Sequence, residues 1–150
     1  MLLTHQRGAI FWAQTQKDDT VAGSVQNGAR PVLIVSNDTN NLHSTVVTVV
    51  AITSQDKPNI PTHIQIPAVS GDGFNTILCE QIKTLPKNIL KRYQGCLTED
   101  VMRRVDNALA LQLGLKKILT TPKDTIKQQP EINETSENKS AIRYRTEFKK

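Results

Sequence analysis

Cysteines, aromatic residues and long apolar runs are all scarce in this chain of 150 residues. The two cysteines, Cys79 and Cys96, are too few for a disulfide framework and match no metal-ligand spacing, so we expect two reduced thiols in a cytoplasmic protein. The longest apolar run, residues 46–52, has the length of a strand. It falls far short of the roughly 18 to 20 residues that a membrane span requires. The N-terminal residues also lack the pattern of a signal peptide, and we therefore expect no membrane partner.

Aromatic residues make up 4% of the chain, hydrophobic residues 37% and charged residues 22%, which is typical of a globular protein with a modest core. A length of 150 residues is typical of a single domain. The net charge of +5 permits nucleic-acid binding without requiring it, because no basic run is interleaved with aromatic residues.

Motifs of the common hydrolases and nucleotide-binding proteins are missing. The chain has no G-x-x-x-x-G-K-[ST] phosphate loop, no H-E-x-x-H metal motif and no G-x-S-x-G nucleophile motif. Nothing in the spacing of its three histidines, His5, His43 and His63, pairs two of them as acid and base. His63 lies in an alternating segment that is typical of a structural residue on a sheet face. No group of histidines, cysteines and acids has ligand spacing, so we expect neither a metal nor a cofactor.

Five short segments that are β-branched or alternately apolar predict an antiparallel sheet. They are residues 8–13, 31–36, 45–53, 62–66 and 76–84, and residues 37–44 are expected to form a turn. A helix is predicted after Thr98, which suits an N-cap, and Gly114 can close it. Its apolar stripe has helical spacing and is expected to pack on the core: Val101, Val105, Ala108, Leu109 and Leu113. The predicted fold class is mainly β with a C-terminal helix, as a small, strongly curved antiparallel barrel.

The composition changes at about residue 120, after which the chain is polar, highly charged and nearly free of large aliphatic residues. Such a segment buries too little apolar area to offset the entropy of ordering it. We therefore predict a folded domain over residues 1–119 and a disordered tail over residues 120–150.

One arginine stands between a polar loop and an apolar run, in the stretch GSVQNGARPVLIVSND at residues 23–38. The loop before it, residues 14–29, is long for a compact domain, and loops of that length are usually functional. An unpaired guanidinium is costly to bury, and no acid lies near Arg30 in the sequence, so Arg30 is a candidate for binding an anion. Thr53 and Ser54 end the third predicted strand, where sites are commonly built on a rigid scaffold. Neither Arg30 nor Thr53 is expected in the core.

These blocks, taken together and in order, resemble the MazF/PemK group of toxin endoribonucleases. The resemblance runs from about residue 7 to residue 115 and rests on RGAIFWA, GSVQNGARPVLIVSND, VVAITSQ, PTHIQI, ILCEQIKT and VMRRVDNALALQLGL. It implies a small SH3-like barrel that works as a cytoplasmic homodimer. It also implies metal-independent, sequence-selective cleavage of single-stranded RNA, leaving 2′,3′-cyclic phosphate and 5′-hydroxyl ends. A cognate antitoxin is implied as the inhibitor that occupies the RNA groove.

The resemblance also assigns roles to residues. The arginine of the R-P block and the threonine of the A-I-T block, which are Arg30 and Thr53 here, are implied as the catalytic pair. The implied RNA-binding residues are Gly23, Ser24, Gln26, Asn27 and Gly28 in a flap, together with Ser54, Gln55 and Gln81. The chain departs from the family at Val25, where an acidic residue is common, and this departure leaves the proton acceptor of the reaction unassigned.

Two other functions stay open at this point. The same barrel also serves CcdB-like toxins, which bind and poison DNA gyrase without catalysis, and Val25 would suit such a binding protein. A catalytically lapsed RNA-binding relative would keep the groove and lose turnover. The R-P and A-I-T blocks favour the nuclease.

Overall fold

A computed structural model describes residues 5–14, 29–115 and 142–143. In these residues, seven strands form a single antiparallel sheet. They are β1 (Ala9–Gln14), β2 (Ala29–Ile34), β3 (Val46–Thr53), β4 (His63–Pro67), β5 (Phe74–Pro86), β6 (Leu90–Leu97) and β7 (Ile142–Arg143). Their order across the sheet is β4-β5-β3-β2-β1-β6-β7. The sheet curls into a half-barrel with a helix near its C-terminal end, and this confirms the predicted fold class.

The helices are α1 (Asp38–His43) and α2 (Glu99–Gln112), and a short 3-10 turn, Lys87–Ile89, joins β5 to β6. Thr98 is the N-cap residue of α2, as predicted, although its side chain makes no capping hydrogen bond. Gly114 has a φ of 64°, the left-handed conformation that closes a helix with least strain when the residue is glycine. Within the described part of the chain, no helix is long and apolar enough to cross a membrane.

Three elements differ from the sequence-based expectation. The predicted turn at residues 37–44 contains the helix α1, whose first turn is capped by the Asn37 side chain accepting from the Asn40 amide at 2.8 Å. Strand β6 was not predicted, because its sequence LKRYQGCL alternates poorly and leaves only three of its residues buried. Residues 142–143, inside the segment predicted to be a disordered tail, pair with Cys96 and Leu97 of β6. The rest of that tail lies outside the described residues.

The sheet buries apolar side chains on both faces, in two separate clusters. On one face, α2 packs through Val101, Val105 and Ala108 against residues such as Ile10 and Ile52. The opposite face buries a second cluster, which comprises Ala9, Phe11, Ala13, Val32, Ile34, Val47, Val49, Leu85 and Leu90. Leu113, predicted to belong to the helix stripe, is instead 58% exposed beyond the last turn of α2. The central strands are thus held from both sides.

A buried asparagine fixes the connection between β2 and β3. Asn41 of α1 is 1% exposed, and its side-chain amide donates to the Ser36 carbonyl at 2.9 Å and to Asp38 Oδ1 at 3.2 Å. Its Oδ1 accepts the Ser36 hydroxyl at 2.5 Å, and Ser36 Oγ in turn accepts the Thr48 amide at 3.0 Å. A buried polar group of this kind stabilises the fold only while its partners remain.

Replacing Asn41 with alanine should therefore destabilise the protein by about 2 kcal/mol, because the carbonyl and the hydroxyl of Ser36 each lose a hydrogen bond to the buried Asn41 side chain. The matched control is Asn40→Ala, one residue earlier in the same helix but exposed to solvent. Urea unfolding followed by circular dichroism measures both. Equal stability of the two variants would contradict the role given to this network.

The two cysteines have different surroundings. Cys79 is fully buried in the cluster under α2, and burial, with smaller contributions from the charges of Glu80 and Asp106, raises the pKa of its thiol to about 12. Cys96 is half-buried, within 3.4 Å of the Gln6 side-chain amide. The thiolate is the reactive form, so only Cys96 should react readily in the folded protein.

Iodoacetamide at about pH 8 should accordingly alkylate Cys96 in the native protein and Cys79 only after unfolding, because the Cys79 thiol stays protonated and inaccessible. Peptide mass mapping with and without denaturant distinguishes the two sites. Native labelling of Cys79 at the rate of Cys96 would mean that the cluster opens readily.

Candidate active site

The sheet divides between β2 and β3 at one end. Pairing of these strands runs from Ile34 opposite Val49 to Val32 opposite Ala51, where it stops. Both strands continue beyond that point with their other neighbours, since β2 pairs with β1 as far as Ala29 and β3 pairs with β5 as far as Thr53. The result is a fork in the sheet, with residues 29–31 on one lip and residues 52–53 on the other.

Pro31 accounts for the position of the fork. Proline has no amide hydrogen to donate to a neighbouring strand, and it is tolerated in a sheet only where that donor is not needed. In this chain it lies inside β2, one residue beyond the last pair with β3 and opposite Trp12 of β1. The expectation that β2 begins at Pro31 is wrong by two residues, because Ala29 and Arg30 already belong to the strand.

Arg30 lies on the β2 lip of the fork. It is held opposite Ala13 by the pairing of β2 with β1, and it is half-buried. Burial lowers the pKa of its guanidinium. Arginine nevertheless stays protonated at any working pH, so the mouth of the fork carries a half-buried positive charge.

Thr53 lies on the β3 lip. Its pairing with Thr76 of β5 fixes its place, and its Oγ1 accepts the Gln55 amide at 3.1 Å. Since the oxygen accepts that hydrogen bond, the hydroxyl hydrogen is directed elsewhere. The residue is 4% exposed, so the expectation that Thr53 lies outside the core is wrong. The cause is the curl of the sheet, which closes around the strand end.

Arg30 and Thr53 project from the same face of the sheet. Side chains alternate along a strand, and residues directly opposite each other on neighbouring strands share a face. Arg30 is two residues from Val32, Thr53 is two residues from Ala51, and Val32 and Ala51 are opposite each other. Continuing this register by two residues sets Arg30 across the fork from Thr53. A cation and a hydroxyl that face each other across a gap are suited to binding a phosphate between them.

The other predicted site residues are more dispersed. Ser54 and Gln55 follow Thr53 directly and are exposed. Gln81 lies farther along β5, in an irregular stretch where the register with β3 shifts between Val50 and Ala51. The five flap residues, Gly23, Ser24, Gln26, Asn27 and Gly28, lie outside the described residues, as does Val25.

His63, predicted from the sequence to be a structural residue, anchors the loop that follows Thr53. Its Nδ1 donates to the Pro58 carbonyl at 2.8 Å, and its Nε2 lies 3.0 Å from Glu80 Oε1. The ring is buried, and Glu80 Oε2 is a buried oxygen without a hydrogen-bond partner in the described part of the chain. The three histidines lie on separate parts of the structure, with His5 stacked on Phe11 before β1 and His43 exposed at the end of α1.

Among the described residues, no three histidine, cysteine or acidic side chains come together in a way that could hold a metal ion. Among the described residues, the fork brings together a guanidinium, from Arg30, and a hydroxyl, from Thr53. Both suit the binding of a phosphate.

Sequence comparison with known proteins relates the chain to one family of toxins. The family described as PemK-like, MazF-like toxin of type II toxin-antitoxin system matches residues 6–113. A protein named endoribonuclease MazF, from Staphylococcus saprophyticus, is 42% identical over 116 residues, which cover 75% of this chain and 94% of that protein.

Solved structures give the same relation at the level of the fold. An endoribonuclease in complex with its cognate antitoxin, from a mycobacterial species, superposes with a TM-score of 0.59 at 30% identity, covering 74% of this chain and 96% of that one. The Mycobacterium tuberculosis toxin MazF-mt6 also superposes with a TM-score of 0.59, at 27% identity, covering 72% and 98%.

The anchoring of the loop at residues 54–62 by His63 can be tested by His63→Ala, with His43→Ala as a matched control on the exposed end of α1. Loss of the two hydrogen bonds should lower the free energy of unfolding by about 2 kcal/mol and speed amide exchange in the loop. Hydrogen-exchange mass spectrometry of the loop peptide measures the local effect. Unchanged exchange there would show that other contacts hold the loop.

Proposed function

The chain belongs to the PemK-like, MazF-like toxin family of type II toxin–antitoxin systems and is an endoribonuclease, and from this premise we propose that it cleaves single-stranded RNA at the fork between β2 and β3. The observation that carries the proposal is the placement of Arg30 and Thr53 on the same face of the sheet, on opposite lips of that fork. A phosphate of the RNA backbone would lie between them.

The chemistry proposed for the site needs no nucleophile from the protein. The 2′-hydroxyl of RNA attacks the adjacent phosphorus, the O2′–P bond forms, and the P–O5′ bond breaks. The products are a 2′,3′-cyclic phosphate and a 5′-hydroxyl end. The requirement for a 2′-hydroxyl excludes DNA as a substrate.

Arg30 is assigned the charge that develops on the phosphate. Its planar guanidinium can bind two phosphate oxygens at once, and partial burial strengthens that attraction relative to water. A charge held in place by a paired strand also costs little reorganisation when the reaction occurs.

Thr53 is assigned to orient the reacting groups. Because its Oγ1 already accepts the Gln55 amide, its hydroxyl hydrogen can be donated to a phosphate oxygen or to the attacking hydroxyl. The proton released by the 2′-hydroxyl passes to water or to a backbone carbonyl, and the leaving 5′-oxygen takes its proton from solvent. His63 is not given a proton-transfer role, because both of its ring nitrogens face protein acceptors.

The partners proposed for the chain follow from the family. A cognate antitoxin neutralises the enzyme by covering the fork, and the working form is a homodimer. Because the substrate is cellular RNA, the cytoplasm is the proposed site of action. No metal or cofactor takes part in the proposed reaction.

Arg30→Lys keeps the charge but loses the two-pronged contact, so it should slow cleavage by about 100-fold or more, as for a lost oxyanion donor. Thr53→Val preserves shape in a buried position and should cost a comparable factor if its hydrogen bond forms mainly in the transition state. Rates are measured on a long single-stranded RNA in EDTA, with mapping of the new ends.

Arg103→Lys and Thr84→Val serve as matched controls, because both side chains are exposed, on α2 and on β5. They should cleave like wild type, and a substrate with 2′-deoxyribose at the cut position should survive. Wild-type rates for both Arg30→Lys and Thr53→Val would refute the site. A wild-type protein that never cuts RNA but inhibits a topoisomerase would establish the gyrase-poison function instead.

A further inference from the structure

Thr53 belongs to a row of neighbouring side chains that extends across two more strands, β5 and β4. Thr53 of β3 is opposite Thr76 of β5, and Thr76 is opposite Gln65 of β4. Directly opposite residues share a face, so all three side chains project from the face that carries Arg30. Thr76 is half-buried and Gln65 is exposed. The row therefore runs from a recessed hydroxyl at the fork to an exposed amide at the sheet edge.

An aromatic side chain lies next to this row. Phe74 is two residues before Thr76 on β5 and thus shares its face. The alternate residues Asn75 and Ile77 are buried, so the core side of this strand is already occupied. Phe74 is 38% exposed, opposite Pro67 of β4. From strand spacing alone, its Cα lies roughly 8 Å from that of Thr53.

We propose that Gln65, Thr76 and Phe74 form a subsite that recognises the unpaired base of the nucleotide adjoining the cleaved phosphate. This rests on the proposed RNA cleavage at the fork. Phe74 stacks on the face of the base. The side-chain amide of Gln65, which can both donate and accept, hydrogen-bonds to the exposed edge of the base. Thr76 lies between Gln65 and Thr53 and makes the subsite continuous with the fork. Single-stranded RNA is read in this way, by aromatic stacking and by contacts to base edges.

The chemistry of the three side chains favours a base over a phosphate. None of them is charged, whereas the phosphate-binding group, Arg30, lies on the other lip of the fork. With a backbone phosphate at the fork, one of the two adjoining nucleotides lies on the side of β5 and β4. Base preference on that side of the cut is assigned to this subsite.

The test uses a pool of RNA with randomised sequence, cut by wild type, Gln65→Ala and Phe74→Ala, with sequencing of the ends. Gln65→Ala should flatten the base preference at one fixed position beside the cut. Phe74→Ala should raise KM about tenfold, as for the loss of one stacked base, with kcat little changed, and Phe74→Trp should restore KM. Gln112→Ala and Leu42→Ala, exposed on α2 and α1, are matched controls that should behave like wild type.

Binding of a fluorescent 2′-O-methyl RNA, which cannot be cut, gives a second readout that does not depend on turnover. Failure of wild type to cut any RNA would refute the proposed function, and the binding assay would still decide the subsite. The subsite is overturned if Gln65→Ala and Phe74→Ala keep the wild-type base preference and RNA affinity. It is likewise overturned if they weaken only the neutralisation by an antitoxin, since the surface would then bind protein and not RNA.

Discussion

The site depends on one missing hydrogen-bond donor, the backbone amide that Pro31 lacks. Two central strands of a curved sheet would ordinarily pair along their whole length, because an unpaired backbone group in a sheet is costly. Pairing of β2 with β3 instead ends at Val32 and Ala51, one residue before the proline. The divergence of the two strands beyond that point leaves Arg30 and Thr53 on opposite sides of the fork.

A gap between two strands can support catalysis only if the residues on its two sides are held in fixed positions. Here each lip is held by its other neighbour: Arg30 by the pairing of β2 with β1, and Thr53 by the pairing of β3 with β5. The apolar clusters on the two faces then fix the strands relative to each other. The His63 ring links the loop that follows Thr53 to Glu80. Such support keeps a charged group in position without a cost at the moment of reaction.

Much of this could be predicted from the sequence, because β3 and α2 carry strong local signals in their β-branched run and their helical stripe. Strand β6 and helix α1 could not, since the first alternates poorly between apolar and polar residues and the second has only six residues, too few for a periodic pattern. The burial of Thr53 follows from the curl of the whole sheet, which no local segment encodes. The alignment of Gln65 with Thr53 depends on the register of β5, which shifts beside Val50, and sequence alone does not reveal such a shift.

The proposed reaction does not require a carboxylate at position 25. In the proposed reaction the fork supplies charge and orientation, and neither contribution requires a titrating base on the protein. His63, the first residue of β4, already contacts protein acceptors through both ring nitrogens, at Pro58 and Glu80. Transition-state stabilisation at such a site comes chiefly from a fixed positive charge in a partly buried place, which is often the largest single contribution in phosphate chemistry. In the proposed reaction, a valine at position 25 is then compatible with turnover.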